Sequence, residues 1–226
     1  MTRQIERLRP EQITAALAQR SLIYLPLGTV EWHCHHLPVG LDALTAQGLC
    51  LRAAEQTGGL VWPPLYYGTG GDHGGFPWTV MMPDASEIET MLRFTLTRLA
   101  ALQVAEVVLF SGHFADTQLL MIDRIAETWN AQGRAPQVRA ISVNRLSVPE
   151  LPPDHAGLFE TSLMRAIDPD LVRMAALSDA PDLGSRMDPA SPLWGIIGAD
   201  PRDPAPVGDA QLLQRLVQSL VQACRA

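Results

Sequence analysis

The sequence predicts an α/β fold in a single domain spanning residues 1–226. Three observations carry that expectation. Short apolar runs alternate with longer stretches of helical period along the whole chain. Val107-Val108-Leu109-Phe110 is apolar without a break, as expected of a central strand covered on both faces. No repeat, low-complexity tract or composition shift marks a boundary.

The elements follow in order. Residues Pro10 to Gln19 read as a helix with proline at its start. Ser21 to Leu27 reads as the first strand. Asp42 to Gln56 reads as a helix, with Leu44, Leu49, Leu51 and Ala54 apolar and Gly58-Gly59 closing it. Leu60 to Pro63 is a short strand, followed by a glycine-rich loop over 68–78. Asp84 or Ser86 caps a helix running to about Leu102. Val104 to Phe110 is the central strand, and Ala115 to Gln132 the next helix. Gln137 to Val143 is a strand, 149–153 an irregular connector, and Gly157 to Ile167 a helix. Residues 180–207, rich in Pro, Gly and Asp, read as loop. Asp209 to Cys224 reads as a closing amphipathic helix.

Composition narrows the function. A net charge of −7 argues against nucleic acid as a partner, because phosphate binding needs clustered cations. All 17 basic residues are arginine, which excludes a lysine Schiff base. No apolar stretch reaches the roughly 18 residues that span a bilayer, so no membrane association is expected. The polar start Met1-Thr2-Arg3-Gln4-Ile5-Glu6-Arg7 lacks a signal-peptide apolar segment, and a cytoplasmic location is expected. Cys34, Cys50 and Cys224 form neither a disulfide framework nor a C-x-x-C metal site. Cys50 and Cys34 are read as packing residues.

The chemistry concentrates in Gly28-Thr29-Val30-Glu31-Trp32-His33-Cys34-His35-His36-Leu37-Pro38-Val39-Gly40-Leu41-Asp42, just past the first strand. Glu31 and His33 are two apart, so extended backbone points both to one side. Asp42 opens the next helix and can swing back across the loop. His113 follows the central strand through Ser111-Gly112. Loops at the carboxyl ends of neighbouring parallel strands share one crevice, where ligands bind. Glu31, His33, Asp42 and His113 are therefore expected to converge on a divalent metal. Imidazole with carboxylate suits Zn, Mn or Fe in a catalytic role. The carboxylates outnumber what one zinc takes, and Asp42 can bridge two ions about 3.5–4 Å apart. Two readings stand for Asp154-His155-Ala156-Gly157-Leu158-Phe159-Glu160-Thr161-Ser162. One is a helix N-terminus whose acids complement the dipole. The other is a general acid/base pair, with Glu160 as a further ligand or a carboxylate behind the ligands.

These motifs resemble the creatininase (creatinine amidohydrolase) family. The family's first motif, G-[ST]-x-E-Q-H-G-P-H-L-P-L-x-[TS]-D, is in register with 28–42. Its N-G-H-x-x-N is similar to Ser111-Gly112-His113-Phe114-Ala115-Asp116, and its H-[AG]-G-x-x-E-T-S matches residues 155–162. Phe76-Pro77-Trp78-Thr79 echoes F-P-G-T, and residues 195–201 echo a late glycine-rich loop. The resemblance implies a mostly parallel sheet between helices, two divalent ions (Zn or Mn, with Fe a third option) and hydrolysis of a C–N bond in a small amide, lactam or formamide. It implies Glu31, Asp42 and His113 as ligands of one ion, with His33 and Asp42 on the second. It also implies a homo-oligomer, of which a hexamer is one form. This chain departs from the family at Ala115, where creatininases carry a ligand Glu, and Glu160 is the expected substitute. Asp154 stands where they carry Glu, and Cys34-His35 replaces Gly-Pro. His155 with Asp154 is expected to shuttle the proton. Trp32, Trp78, Phe76 and Trp194 are candidate pocket walls, and His36 and His73 candidate substrate contacts. A peptidase acting on a short or precursor peptide, and a non-catalytic metal-binding protein, are the alternatives.

Overall fold

The fold is described from a computed structural model covering residues 2–146 and 148–224; Met1, Ser147, Arg225 and Ala226 lie outside the described residues. Four parallel strands form the sheet: β1 (Leu22–Leu27), β2 (Leu60–Val61), β5 (Glu106–Ser111) and β6 (Gln137–Ser142), in the order β2-β1-β5-β6. β1 and β5 lie side by side along their full length, with Leu22 opposite Glu106 and Leu27 opposite Ser111. Two very short strands, β3 (Gly68–Thr69) and β4 (Met81–Met82), pair beside this sheet. The sequence shows only a glycine-rich loop there, because two residues are too few to carry a strand period.

Among the described residues six α-helices flank the sheet: α1 (Pro10–Gln19), α2 (Leu41–Thr57), α3 (Ser86–Ala101), α4 (Asp116–Asn130), α5 (Leu158–Ile167) and α6 (Asp209–Ala223). Their bounds lie within about two residues of the sequence expectation. β2 stops at Val61 because Pro63 and Pro64 cannot donate to a ladder. One core lies between the sheet and α2, α5 and α6, built around Tyr24, Phe110, Phe159 and Leu216. A second lies between the opposite face and α3 and α4, built around Ile23, Leu109, Ile122 and Trp129. Successive residues of β1 and β5 therefore feed opposite cores, which is why these strands are apolar throughout. Residues 180–207 hold turns but neither α-helix nor strand. Among the described residues no helix is long and apolar enough to cross a membrane.

The sheet order places the site. From β1 the chain returns through α2 to β2 on one side, and from β5 it returns through α4 to β6 on the other. The loops leaving β1 and β5 diverge, and a crevice opens between them at their carboxyl ends. Gly28 and Gly112 end those two strands. A Cβ on Gly28 would stand 2.2 Å from the Ala43 nitrogen, and one on Gly112 would stand 2.0 Å from the Asp42 carbonyl oxygen. Only glycine lets the first turn of α2 press into the fork and carry Asp42 into the crevice.

Candidate metal centre

Glu31 and His33 come from the β1–α2 connection, Asp42 from the first turn of α2, His113 from the loop leaving β5, and Glu160 from the first turn of α5. All five side chains are buried. His113 Nδ1 lies 3.1 Å from Glu31 Oε2 and 3.2 Å from Asp42 Oδ2. His33 Nε2 lies 3.2 Å from Asp42 Oδ1 and 3.5 Å from Glu160 Oε2. Despite these short separations, Glu31 Oε2, Asp42 Oδ2 and His33 Nε2 have no hydrogen-bond partner. Buried polar atoms are rarely left so. Their lone pairs face shared points, as ligand atoms around a cation do.

The imidazole tautomers point the same way. The other nitrogen of each ring is held by a backbone carbonyl, which can only accept. His33 Nδ1 donates to the Glu31 oxygen at 3.0 Å, and His113 Nε2 to Gly70 at 3.0 Å. His155 Nε2 donates to Trp32 at 2.8 Å, and His73 Nε2 to Gly195 at 2.7 Å. The proton is thus fixed on the outer nitrogen and the inner one is left bare, as for metal-binding histidine.

Charge tells the same story. Burial disfavours a charged His33, yet Asp42, Glu160 and Glu31 outweigh it and push it up to about 10. His113 is likewise raised against its burial by Asp42 and Glu31. Burial works against ionised Glu31, but contacts with His113 and His73 bring it down to about 2. Burial, joined by the repulsion of Asp42 and Asp154, raises Glu160. Such a donor set of carboxylates and imidazoles, with Glu31, His33 and Asp42 offering atoms within 4.8 Å of one another, fits divalent metal.

Glu31, Asp42, His113 and Glu160 line a cavity of about 140 Å³ together with His73, His155, Gly71, Asp72, Phe114, Ala115 and Ile197. His155 is stacked between His33 and His73, with ring centroids 4.4 and 3.9 Å away. Burial, with His33 beside it, lowers His155 to about 3, so it stands as a neutral base.

The other candidate residues take varied positions. Asp154 does not line the cavity; its carboxylate accepts the backbone N–H groups of Gly157, Phe159 and Glu160 at 3.2, 2.9 and 3.2 Å. Burial pushes it up to about 6 against those donors. Asp154 is therefore the N-terminal anchor of α5. Trp32 turns away: its ring packs against Trp194 and His35, and Nε1 donates to the Trp194 carbonyl at 2.9 Å. His36 is buried beneath the site and bonds Thr161 Oγ1 at 2.8 Å. Trp78 is 80% exposed and is absent from the cavity wall. His73 does reach the cavity, but its bare Nδ1 lies 3.4 Å from Glu31 Oε1 and so joins the ligand-type cluster. Cys34 packs with Leu37, Leu41, Ala156 and Met164. Ile197, in the late glycine-rich stretch 195–201 but not singled out there as a site residue, enters the wall because its backbone pairs with His155 across a single bridge.

Comparison with known proteins now bears on this geometry. The family model described as creatininase, creatinine amidohydrolase, matches residues 6–224. The creatinine amidohydrolase of Pseudomonas putida is 30% identical over 214 residues, covering 82% of this chain and 77% of that protein. A mycofactocin precursor peptide peptidase of Mycolicibacterium smegmatis is 30% identical over 157 residues, covering 66% of this chain and 59% of the peptidase. Among solved structures, a tryptophan-to-phenylalanine variant of creatininase superposes with a TM-score of 0.82 at 26% identity, covering 100% of this chain and 98% of that one. A Zn–Zn form of a glutamate-to-glutamine creatininase variant gives 0.78 at 25% identity, with 100% and 98% covered. A match that runs nearly end to end, in sequence and in fold, makes this chain a member of the creatininase family.

Proposed function

We propose that this protein is a metal-dependent amidohydrolase that uses two divalent ions, zinc or manganese, to hydrolyse the C–N bond of a small amide-type substrate. The observation that carries the reading is the set of bare, buried donor atoms around Asp42, each imidazole fixed by a backbone carbonyl. Membership of a family whose relatives include a creatinine amidohydrolase supports it.

In this reading Glu31, Asp42 and His113 hold one ion, and His33, Asp42 and Glu160 the other. When bound, the pair supplies Lewis acidity for the scissile carbonyl and acidifies a water molecule. The protein's own groups do the rest. His155, neutral and anchored through Nε2 to the Trp32 carbonyl, accepts a proton at Nδ1 and passes it to the leaving nitrogen. Asp154 fixes the first turn of α5 and so aims Glu160. Burial of the cluster excludes bulk water and strengthens each electrostatic contact.

A cavity of about 140 Å³ favours a compact cyclic amide, lactam or formamide over an extended peptide. The non-catalytic alternative drew on the absent carboxylate at Ala115; Glu160 Oε2, 3.5 Å from His33 Nε2, supports a replacement and hence an active centre. Self-association into a homo-oligomer is supported by exposed Met91, Phe94 and Leu120 on α3 and α4.

The test is metal analysis of the purified chain joined to turnover of creatinine, other lactams, formamides and short peptides. Two ions per chain with hydrolysis of a small amide are expected. Full metal loading with cleavage of peptides alone would move the assignment to a peptidase, and no turnover at all would end it.

A further inference from the structure

Two strands of evidence single out His73. The first is its own geometry. It is 2% exposed, although it lies on a glycine-rich segment, 70–76, whose Asp72, Gly74 and Gly75 face solvent. Nothing lies within 4 Å of where a Cβ on Gly74 or Gly75 would stand, so the tip of the strap is unpacked and its side-chain contacts come from His73 and from Phe76, whose ring lies 5.3 Å from that of Trp194. The His73 ring is oriented by the Gly195 carbonyl, which accepts from Nε2. Nδ1 then presents a lone pair to Glu31 Oε1 at 3.4 Å. Two acceptors facing each other at that distance in a buried space repel unless a cation or a proton stands between them. Nδ1 of His73, an oxygen of Glu31 and a nitrogen of His155 all lie within 4.8 Å of one another.

The second strand is how the strap meets the rest of the centre. The Gly70 carbonyl accepts from His113 Nε2 and so sets the tautomer that bares His113 Nδ1. Gly71 runs so close that a Cβ there would touch Ala115, Glu31 and His113, each at 3.7 Å. The space beside the centre is occupied here by the glycine backbone that delivers His73.

We propose that His73 is an additional metal ligand on the Glu31 side of the centre, and that it ties the strap 70–76 down over the bound ion. The inference rests on the metal-centre reading given above. The competing arrangement is a His73 imidazolium that donates to Glu31 and needs no metal.

Cobalt(II) chloride titrated into the metal-free chain tests it, read by the visible d–d spectrum and by hydrogen exchange of the strap amides. For the wild type, a cobalt spectrum with nitrogen ligation and a gain of protection over 70–76 are expected. His73→Ala should weaken cobalt binding by about 10–100-fold, the usual worth of a residue that supports or completes a metal site. It should also shift the d–d bands and abolish the gain of protection. Unchanged bands in His73→Ala, whether or not affinity falls, would overturn the ligand role and leave His73 as a hydrogen-bonding group. Equal strap protection in the wild type with and without cobalt would overturn the tie-down even if the variant failed to fold. A wild-type chain that binds no cobalt would sink the metal centre itself, an outcome distinct from either.

Discussion

Asp42 turns one carboxylate oxygen toward each half of the centre: Oδ2 lies 3.2 Å from His113 Nδ1, and Oδ1 lies 3.2 Å from His33 Nε2. Removing it strips a donor from both positions and leaves His33 and His113 without their main counter-charge. Asp42→Ala is expected to lose both ions, read by metal analysis after dialysis; full metal content in that variant would refute the bridging role. His155 plays a different part. Its ring lies in the cavity wall between the imidazoles of His33 and His73, within ligand distance of Glu31 and Glu160, and the proposed role is proton transfer rather than ligation. His155→Ala should keep its metal and slow turnover by roughly 10²–10⁴-fold, the usual contribution of general acid–base catalysis. Loss of metal in this variant would reassign His155 as a ligand.

The first turn of α2 and the ends of β1 and β5 form one mechanical unit. Gly112→Ala would drive a methyl group against the Asp42 carbonyl, now 2.0 Å from where it would stand. Overpacking of this kind costs about 1–3 kcal/mol, and it would also push Asp42 out of the crevice. Denaturant unfolding and metal titration on the same variant should both show a loss, and wild-type values in either would contradict the fork. At the opposite end of the sheet, Glu106 at the start of β5 is paired with Arg20 and, at 2.8 Å, with Arg139 of β6. Burial raises its carboxyl, but the two arginines outweigh that and hold it below the usual carboxylate range. A lowered folded value means that the unfolded chain takes up the proton first as pH falls. The stabilisation is therefore present above about pH 5 and disappears as pH drops through the folded value. Glu106→Gln should cost roughly 0.5–1 kcal/mol at pH 7, and the difference from wild type should vanish near the acid limit of folding. A difference that held constant with pH would mean that the charge is not the cause.

Across the whole molecule, the buried centre is the place where native structure conflicts most with the absence of a cation. Glu31, Asp42 and Glu160 are gathered in a space from which water is largely excluded. An ion that binds the folded chain and not the unfolded one adds about 2.7–4.1 kcal/mol at 100–1,000 times its dissociation constant. Chelation should therefore lower the thermal midpoint by several degrees, and zinc or manganese should restore it. A midpoint indifferent to chelator and metal would argue against a resident ion. The effect should reach the cores on both faces, since β1 and β5 feed both and the centre locks their ends together.

The order of strands and helices, the apolar central strand, and the grouping of Glu31, His33, Asp42 and His113 were legible because they follow from local period and from strand-end loops. Left-handed backbone was not read from the sequence: Cys34 and Trp78 adopt φ of 57° and 59°. What the chain order could not reveal was direction. Asp154 and Glu160 sit in one motif, yet the first turns onto the amides of α5 and the second into the crevice. Trp32 lies between two inward-facing residues and packs outward onto Trp194. His73 joins Glu31 from forty residues away because Gly195, farther still, fixes its ring. The sequence by itself determined which donor groups were available and on which strand ends they rode. Only tertiary structure decided which of them face one another, because that depends on carbonyls and glycines from distant loops that set each ring's tautomer and each carboxylate's partner.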